Sequence, residues 1–291
     1  MKSRLCKCHG LISVLIALCG FADIAEAQTK TTCANSTTSV AFFYCITEAE
    51  GSQSADVIYY LHGGLYEAPT GSAWSSSERF AAVRDHWARG GAPAPRVVEI
   101  SFGRIWLLTP QNASARSGLI DVFTNLAIPY TDSKLSNPQV GSRILLGHSM
   151  GGLNASLLAN FKSHVFARAA LLAPAFFGVS PYASDEEIQA YALRQGFSVE
   201  SMMGLIATAR AFVPDESTWW TLAPDTVAQN LAERQFPLYI SSGTEDRLFF
   251  GPSQAFAERV QFYGGNIIWK PLMGGNHSDL DVDSLAKFLV P

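Results

Sequence analysis

The sequence predicts an α/β protein with a mostly parallel central sheet and helices on both faces. Apolar, β-branched strands alternate with helical stretches along most of the chain. Several strands, such as "VIYYL" at 57–61, are apolar at every position, which means both of their faces are covered. The length of 291 residues, 48% hydrophobic and 16% charged, suits one large domain of this kind.

The first 27 residues are of a different type. Lys2, Arg4 and Lys7 precede an apolar core over 11–20, and "AEA" ends at Ala27. This order of basic, apolar and small residues predicts a secretory signal over 1–27, with 28–291 as the mature, secreted or periplasmic domain. An apolar core of about ten residues is too short to span a bilayer, and no later stretch is long enough, so no membrane span is expected. Cys6, Cys8 and Cys19 leave with that segment. Cys33 and Cys45 remain, an even count that favours a disulfide in an exported chain.

The elements follow in order. Residues 40–46 (VAFFYCI) and 57–61 read as strands. A helix over 77–89 starts at Ser77, places Phe80, Val83, Trp87 and Ala88 near helical spacing, and stops at Gly90-Gly91. A strand over 97–101 precedes a helix over 115–130, whose apolar stripe is Leu119, Ile120, Phe123, Leu126 and Ala127. Then come a strand at 144–146, a helix at 150–161, strands at 168–173 and 237–241, a helix at 254–263, a strand at 267–271 and a helix at 280–289. Residues 176–235 interrupt this alternation with two helical pieces and no strand, the pattern of a helical lid or cap insert. Met202, Met203, Trp219 and Trp220 give the insert apolar bulk, which lines a pocket or packs the insert onto the domain. Trp219 and Trp220 are the candidates there for substrate contact.

The chemistry centres on "RILLGHSMGGLNASLL". Gly147 and Gly151 flank Ser149 as G-x-S-x-G between a strand and a helix. Small neighbours there let a strained corner raise a serine as nucleophile. The helix N-terminus aims free N–H groups at a developing oxyanion, with Met150 N–H as the donor offered. A serine needs a base. Of six histidines, His277 in "MGGNHSD" directly follows the last strand, at the sheet edge where ligands of open α/β sheets bind. His148 is expected to point away across the turn, and His62 opens a separate loop. The base needs an orienting carboxylate. Asp246 in "SSGTEDRLFF" sits at another strand end, with Glu245 as its neighbouring competitor. A second oxyanion donor is expected from "YYLHGG", at Gly64 N–H or its neighbour Leu65, which also borders the substrate.

These segments resemble the α/β-hydrolase superfamily, and within it the esterase D-like group. The likeness is carried by "YYLHGG", "IPYTDS" ahead of "RILLGHSMGG", "SSGTEDRLF" and "GGNHSD". The order Ser149, Asp246, His277 is also that fold's order of triad members. The resemblance implies a serine carboxylic-ester hydrolase that needs no metal or organic cofactor. Its substrate would be a small-molecule or polymer-linked ester. The chain departs from the group at "LLAPAFFG", where many relatives carry Ser-Pro-Ser, and in the length of its insert.

Three rival readings remain: an acyltransferase, a peptidase with the same triad, and a non-catalytic binding protein on a hydrolase fold. Scattered Lys and Arg at a net charge of −4 argue against a nucleic-acid partner. No P-loop, dinucleotide fingerprint or HExxH zinc motif is present.

Overall fold

The structure is a computed structural model that describes residues 29–49, 54–64, 77–103, 105, 107–110, 118–213 and 215–291. The expected signal segment, 1–27, lies outside them. Among the described residues the strands are β1 (Thr29–Asn35), β2 (Phe43–Ala49), β3 (Val57–Leu61), β4 (Arg96–Ser101), β5 (Arg143–His148), β6 (Arg168–Leu172), β7 (Leu238–Gly243) and β8 (Ile267–Leu272). They form one sheet in the order β1-β2-β4-β3-β5-β6-β7-β8. β2 is antiparallel to both of its neighbours, and every pairing from β4–β3 to β7–β8 is parallel.

β1 was not expected, because "TKTTCAN" is polar and shows no apolar alternation. It forms as an edge strand, largely exposed, whose ladder sets Cys33 opposite Cys45. The expected disulfide joins these two, with their Cα atoms 4.1 Å apart. Close Cα spacing belongs to directly opposed residues of an antiparallel pair. The bridge is therefore a staple across two strands that fixes the edge of the sheet.

The central strands divide their residues between two cores. In β3, Val57, Tyr59 and Leu61 face one side, while Ile58 and Tyr60 face the other. Helices α1 (Glu78–Arg89) and α10 (Val282–Leu289) cover the second side through Phe80, Val83, Trp87, Leu285 and Leu289. The buried Trp87 indole donates to Ala286 O at 2.9 Å, which satisfies its N–H and ties the helices together. Ser77 caps α1 by accepting from Phe80 N, and Gly90 ends it, as its sequence requires.

The expected helix over 115–130 has three described parts: α2 (Leu119–Val122), a π-helical turn (Phe123–Ala127) and α3 (Ile128–Asp132). Pro129 has no N–H for the carbonyl four residues back, and its ring would crowd that carbonyl. The wider turn ahead of it accommodates both deficits. Asp132, in "IPYTDS", accepts from the Tyr59 hydroxyl and from Arg143 Nη2 at 2.8 Å, linking this helix to β3 and β5.

Helix α4 (Met150–Phe161) follows β5 directly and is buried along almost its whole length. Between β6 and β7 run α5 (Asp185–Arg194), α6 (Val199–Phe212), α7 (Glu216–Leu222) and α8 (Pro224–Glu233). The sequence reading found only the first two. α5 opens with a reciprocal Ser184–Glu187 capping box and packs against α6. α8 instead packs against α4 and α9 (Phe250–Phe262), so the end of this segment completes the layer over the sheet. No helix among the described residues is long and apolar enough to cross a membrane.

Candidate active site

The corner between β5 and α4 is built by its glycines. A Cβ on Gly147 would lie 2.1 Å from Gly151 O, and one on Gly151 would lie 2.0 Å from Leu61 O. Only glycine permits these backbones to pass so closely, and the crowding holds Ser149 at φ 56°, ψ −120°. Left-handed backbone is costly for a non-glycine residue and persists only where the surroundings over-determine it. Three hydrogen bonds do so: Ser149 N donates to Leu172 O at 2.9 Å, and Ser149 O accepts from Leu153 N at 3.1 Å and Ala175 N at 2.9 Å. The hydroxyl takes no part in capping α4, although Ser149 is its N-cap residue.

Asp246 and His277 meet at the neighbouring strand ends. His277 Nδ1 lies 2.6 Å from Asp246 Oδ2. A carboxylate accepts, so Nδ1 carries the proton and, in the neutral ring, Nε2 is the unprotonated nitrogen. Asp246 is buried at 8% exposure, whereas Glu245 is exposed. Asp246 Oδ1 also accepts from Phe249 N at 3.3 Å, which orients the carboxylate. Of the two adjacent carboxylates, Asp246 is the one at the imidazole.

The loops carrying this pair are joined by their backbones. Thr244 N donates to Leu272 O at 3.0 Å, Glu245 N to Gly275 O at 2.9 Å, and Gly274 N to Thr244 Oγ1 at 2.9 Å. Asp279 Oδ2 accepts from Asn276 N at 2.7 Å, closing the turn that presents His277. The glycines and Asp279 of "GGNHSD" thus shape this loop.

The serine and the imidazole share one neighbourhood through residue 148. The His148 and His277 rings lie 4.9 Å apart, and His148 Nε2 is 2.9 Å from His277 O. Phe249 also contacts the His277 ring, with ring centroids 5.4 Å apart. No hydrogen bond joins Ser149 Oγ to the His277 ring among the described residues. His148, expected to point away from Ser149 across the turn, has its ring against the His277 loop. Burial lowers the His148 pKa to about 4, so its ring is neutral near neutrality.

Gly63 of "LHGG" lies against the corner: a Cβ there would sit 3.4 Å from Ser149 Cβ. Gly64 follows it in a turn, and Leu65 lies outside the described residues. His62 holds this loop, its Nδ1 2.8 Å from Gly63 O and its Nε2 2.7 Å from Ser101 Oγ. The carbonyl assigns the proton to Nδ1, so Nε2 accepts from the serine hydroxyl. Burial pushes the His62 pKa below its ordinary value, in keeping with a neutral clamp. Met150, 3% exposed, places its N–H in the first turn of α4.

The two tryptophans of the insert differ in burial. Trp219 is 3% exposed and packs edge-on against Phe177 at 5.5 Å in the main core, while Trp220 is 53% exposed. Asn154, which begins an N-x-S sequence, is buried. It accepts from Leu108 N at 2.8 Å and donates to Ile105 O at 2.9 Å, so its amide holds the loop after β4. No group of three metal-ligating side chains occurs among the described residues.

Sheet order, strand-to-helix serine corner and adjacent acid and imidazole loops together define an α/β-hydrolase. Residues 35–266 match the model of the family described as "Putative esterase", and the chain belongs to that family, which makes it a carboxylic-ester hydrolase. No curated protein sequence matches. Among solved structures, the chain is similar to a ferulic acid esterase, with a TM-score of 0.55 and 16% identity over 90% of this chain and 95% of that one. It is also similar to one of two fungal esterases from Rhizomucor miehei, with a TM-score of 0.62 and 14% identity over 90% and 83% of the chains. A third is brefeldin A esterase, a bacterial homologue of human hormone-sensitive lipase, at 0.59 and 16% over 92% and 74%. At these identities the likeness is one of fold.

Proposed function

We propose that the protein is a secreted serine esterase that works through an acyl-enzyme on Ser149, with His277 as base and Asp246 as its orienting acid. The observation that carries this reading is the Asp246–His277 contact at 2.6 Å beside a serine held at φ 56°. In the first half-reaction, His277 Nε2 takes the Ser149 proton while Oγ attacks the ester carbonyl. Met150 N–H and Gly64 N–H receive the negative charge that develops on the carbonyl oxygen. As the tetrahedral adduct collapses, His277 returns the proton to the departing alcohol. Water then repeats the sequence, releasing the acid and free Ser149. Asp246 holds Nδ1–H throughout, which keeps the imidazole in the tautomer that exposes Nε2.

The Ser149–His277 hydrogen bond closes when substrate is bound; catalytic hydrogen bonds in empty sites are commonly long and tighten in the complex. Leu65 borders the substrate beside the oxyanion loop. Helices α5 and α6 form the lid. The segment 1–27 directs export, which agrees with the Cys33–Cys45 bridge, since disulfides persist in oxidising compartments.

The test is turnover of a short p-nitrophenyl ester by the mature protein. Ser149→Ala should lower kcat by roughly 10⁴-fold or more, because triad members act as a unit. Turnover by Ser149→Ala equal to that of the wild type would remove the serine from the mechanism.

A further inference from the structure

The residue before the serine has no part in the proton transfers above, yet it is the side chain that spans the site. We infer that His148 is a positioning residue that holds the main chain of His277, and so sets the imidazole over the Ser149 corner. The inference rests on the triad reading and adds a residue to it.

Four observations carry it. His148 Nε2 lies 2.9 Å from the carbonyl oxygen of His277 itself. A carbonyl can only accept, so Nε2 carries the proton and donates, and in the neutral ring Nδ1 is the unprotonated nitrogen. The two rings lie 4.9 Å apart at 50°, so the contact is with the side chain of His277 as well as with its backbone. Nδ1 faces the oxyanion loop, where a Cβ on Gly63 would come within 3.3 Å of it. Finally, the residue is the last of β5 and the immediate neighbour of Ser149, so its backbone is fixed by the same ladder that fixes the serine.

One imidazole therefore touches the nucleophile corner through its own main chain, the base through a hydrogen bond and ring contact, and the oxyanion loop through its Nδ1 edge. The Asp246 bond fixes the direction of the His277 ring, and Phe249 packs against that ring at 5.4 Å. Neither ties the His277 main chain to the end of β5; the His148 bond does, while the Glu245 N–Gly275 O bond holds the same loop to the end of β7. The neutrality of His148 serves the same end: when His277 becomes cationic during attack, no like charge stands against it. Small displacements of a catalytic group from its productive position cost rate steeply, by as much as about 100-fold for 1 Å.

The experiment compares His148→Gln, His148→Ala and His148→Phe with the wild type on a short p-nitrophenyl ester. It is run at a temperature well below every variant's melting midpoint, with circular dichroism to establish folding. Glutamine reaches about as far as Nε2 and keeps an N–H donor, whereas alanine and phenylalanine keep none. His148→Ala and His148→Phe should lower kcat by about 10- to 100-fold with KM changed less than threefold, and His148→Gln should recover most of kcat.

Phenylalanine preserves the ring volume, so it separates the hydrogen bond from packing if alanine fails to fold. Kcat of folded His148→Phe within twofold of wild type would overturn the inference, as would equal losses in the Gln and Phe variants. Failure of the underlying triad reading looks different: Ser149→Ala would remain active, whatever the His148 variants do.

Discussion

Asp246 Oδ2 accepts from His277 Nδ1 at 2.6 Å, and Glu245, one residue earlier, turns outward into solvent. A single step along the chain thus separates a carboxylate that orients the imidazole from one that does not. Asp246→Asn keeps the shape but offers an amide that can present its N–H and leave the imidazole in the wrong tautomer. Its kcat on a p-nitrophenyl ester should fall by roughly 10³- to 10⁴-fold. Glu245→Gln should stay within twofold of wild type. Equal losses in the two variants would show that the contact does not orient the base.

Gly151→Ala tests the corner itself. The added methyl would have to share space with Leu61 O, 2.0 Å away, and backbone cannot retreat as a flexible side chain can. Overpacking of this kind costs about 1–3 kcal/mol, and more where backbone is the obstacle. Thermal unfolding should show a markedly lower midpoint than the wild type, and the folded fraction should have lost turnover. Gly251→Ala, in α9 with nothing within 4 Å of the added carbon, is the matched control and should leave the midpoint nearly unchanged.

Breaking the Cys33–Cys45 bridge with a double serine substitution should act on the edge of the sheet. The cysteines lie 12 positions apart in sequence, and a loop of that size is worth about 3 kcal/mol in the chain-entropy account. Because β1 is an exposed edge strand remote from the site, amide exchange should accelerate in β1 and β2 while kcat stays within twofold of wild type. A loss of activity without a loss of β1 protection would contradict this separation.

Stability should also depend on pH through His148. Its pKa is lowered to about 4 by burial, and it faces His277, Arg79 and Asp246. The unfolded chain binds the proton near its ordinary value of about 6.5. Between these values the unfolded state holds more protons, so stability rises with pH up to about 6.5 and is lost as pH falls toward 4. The melting midpoint of the wild type should fall across that window, and that of His148→Gln should fall less. Parallel curves would show that another group sets the acid limit.

The two tryptophans of the insert separate core from surface. Trp219→Ala should destabilise by about 3–5 kcal/mol, since the ring is 3% exposed and packs against Phe177. Trp220→Ala, exposed at 53%, should change stability by less than about 0.5 kcal/mol. Urea unfolding of both variants reads the difference directly.

Much of this architecture could be read from residue patterns, because the physical demands on those segments are local. Central parallel strands such as β3 are apolar on both faces, and α1 carries its start and stop signals in its own sequence. The glycines around Ser149 are dictated by a crossing of backbones three residues wide. β1 was illegible for the opposite reason: a polar edge strand is held by its partner and a disulfide, not by its own pattern. Helices α7 and α8 are hard to read from sequence although Asp215 and Pro224 mark their starts, because they are short and held by tertiary packing within a long insert. The partner of His148 is not legible locally, because which way a side chain leaves a strained corner depends on what packs there, and the His277 loop arrives 129 residues later. The tryptophans were read for their bulk, and bulk does not say whether it faces a core or a cavity.

The most direct test of the central claim is mass-spectrometric mapping of the residue modified by a fluorophosphonate, carried out on wild type, His277→Ala and Asp246→Asn. One adduct should form, on Ser149, rapidly in the wild type and far more slowly in both variants. An adduct on another residue, or labelling of Ser149 at the wild-type rate without His277, would contradict it.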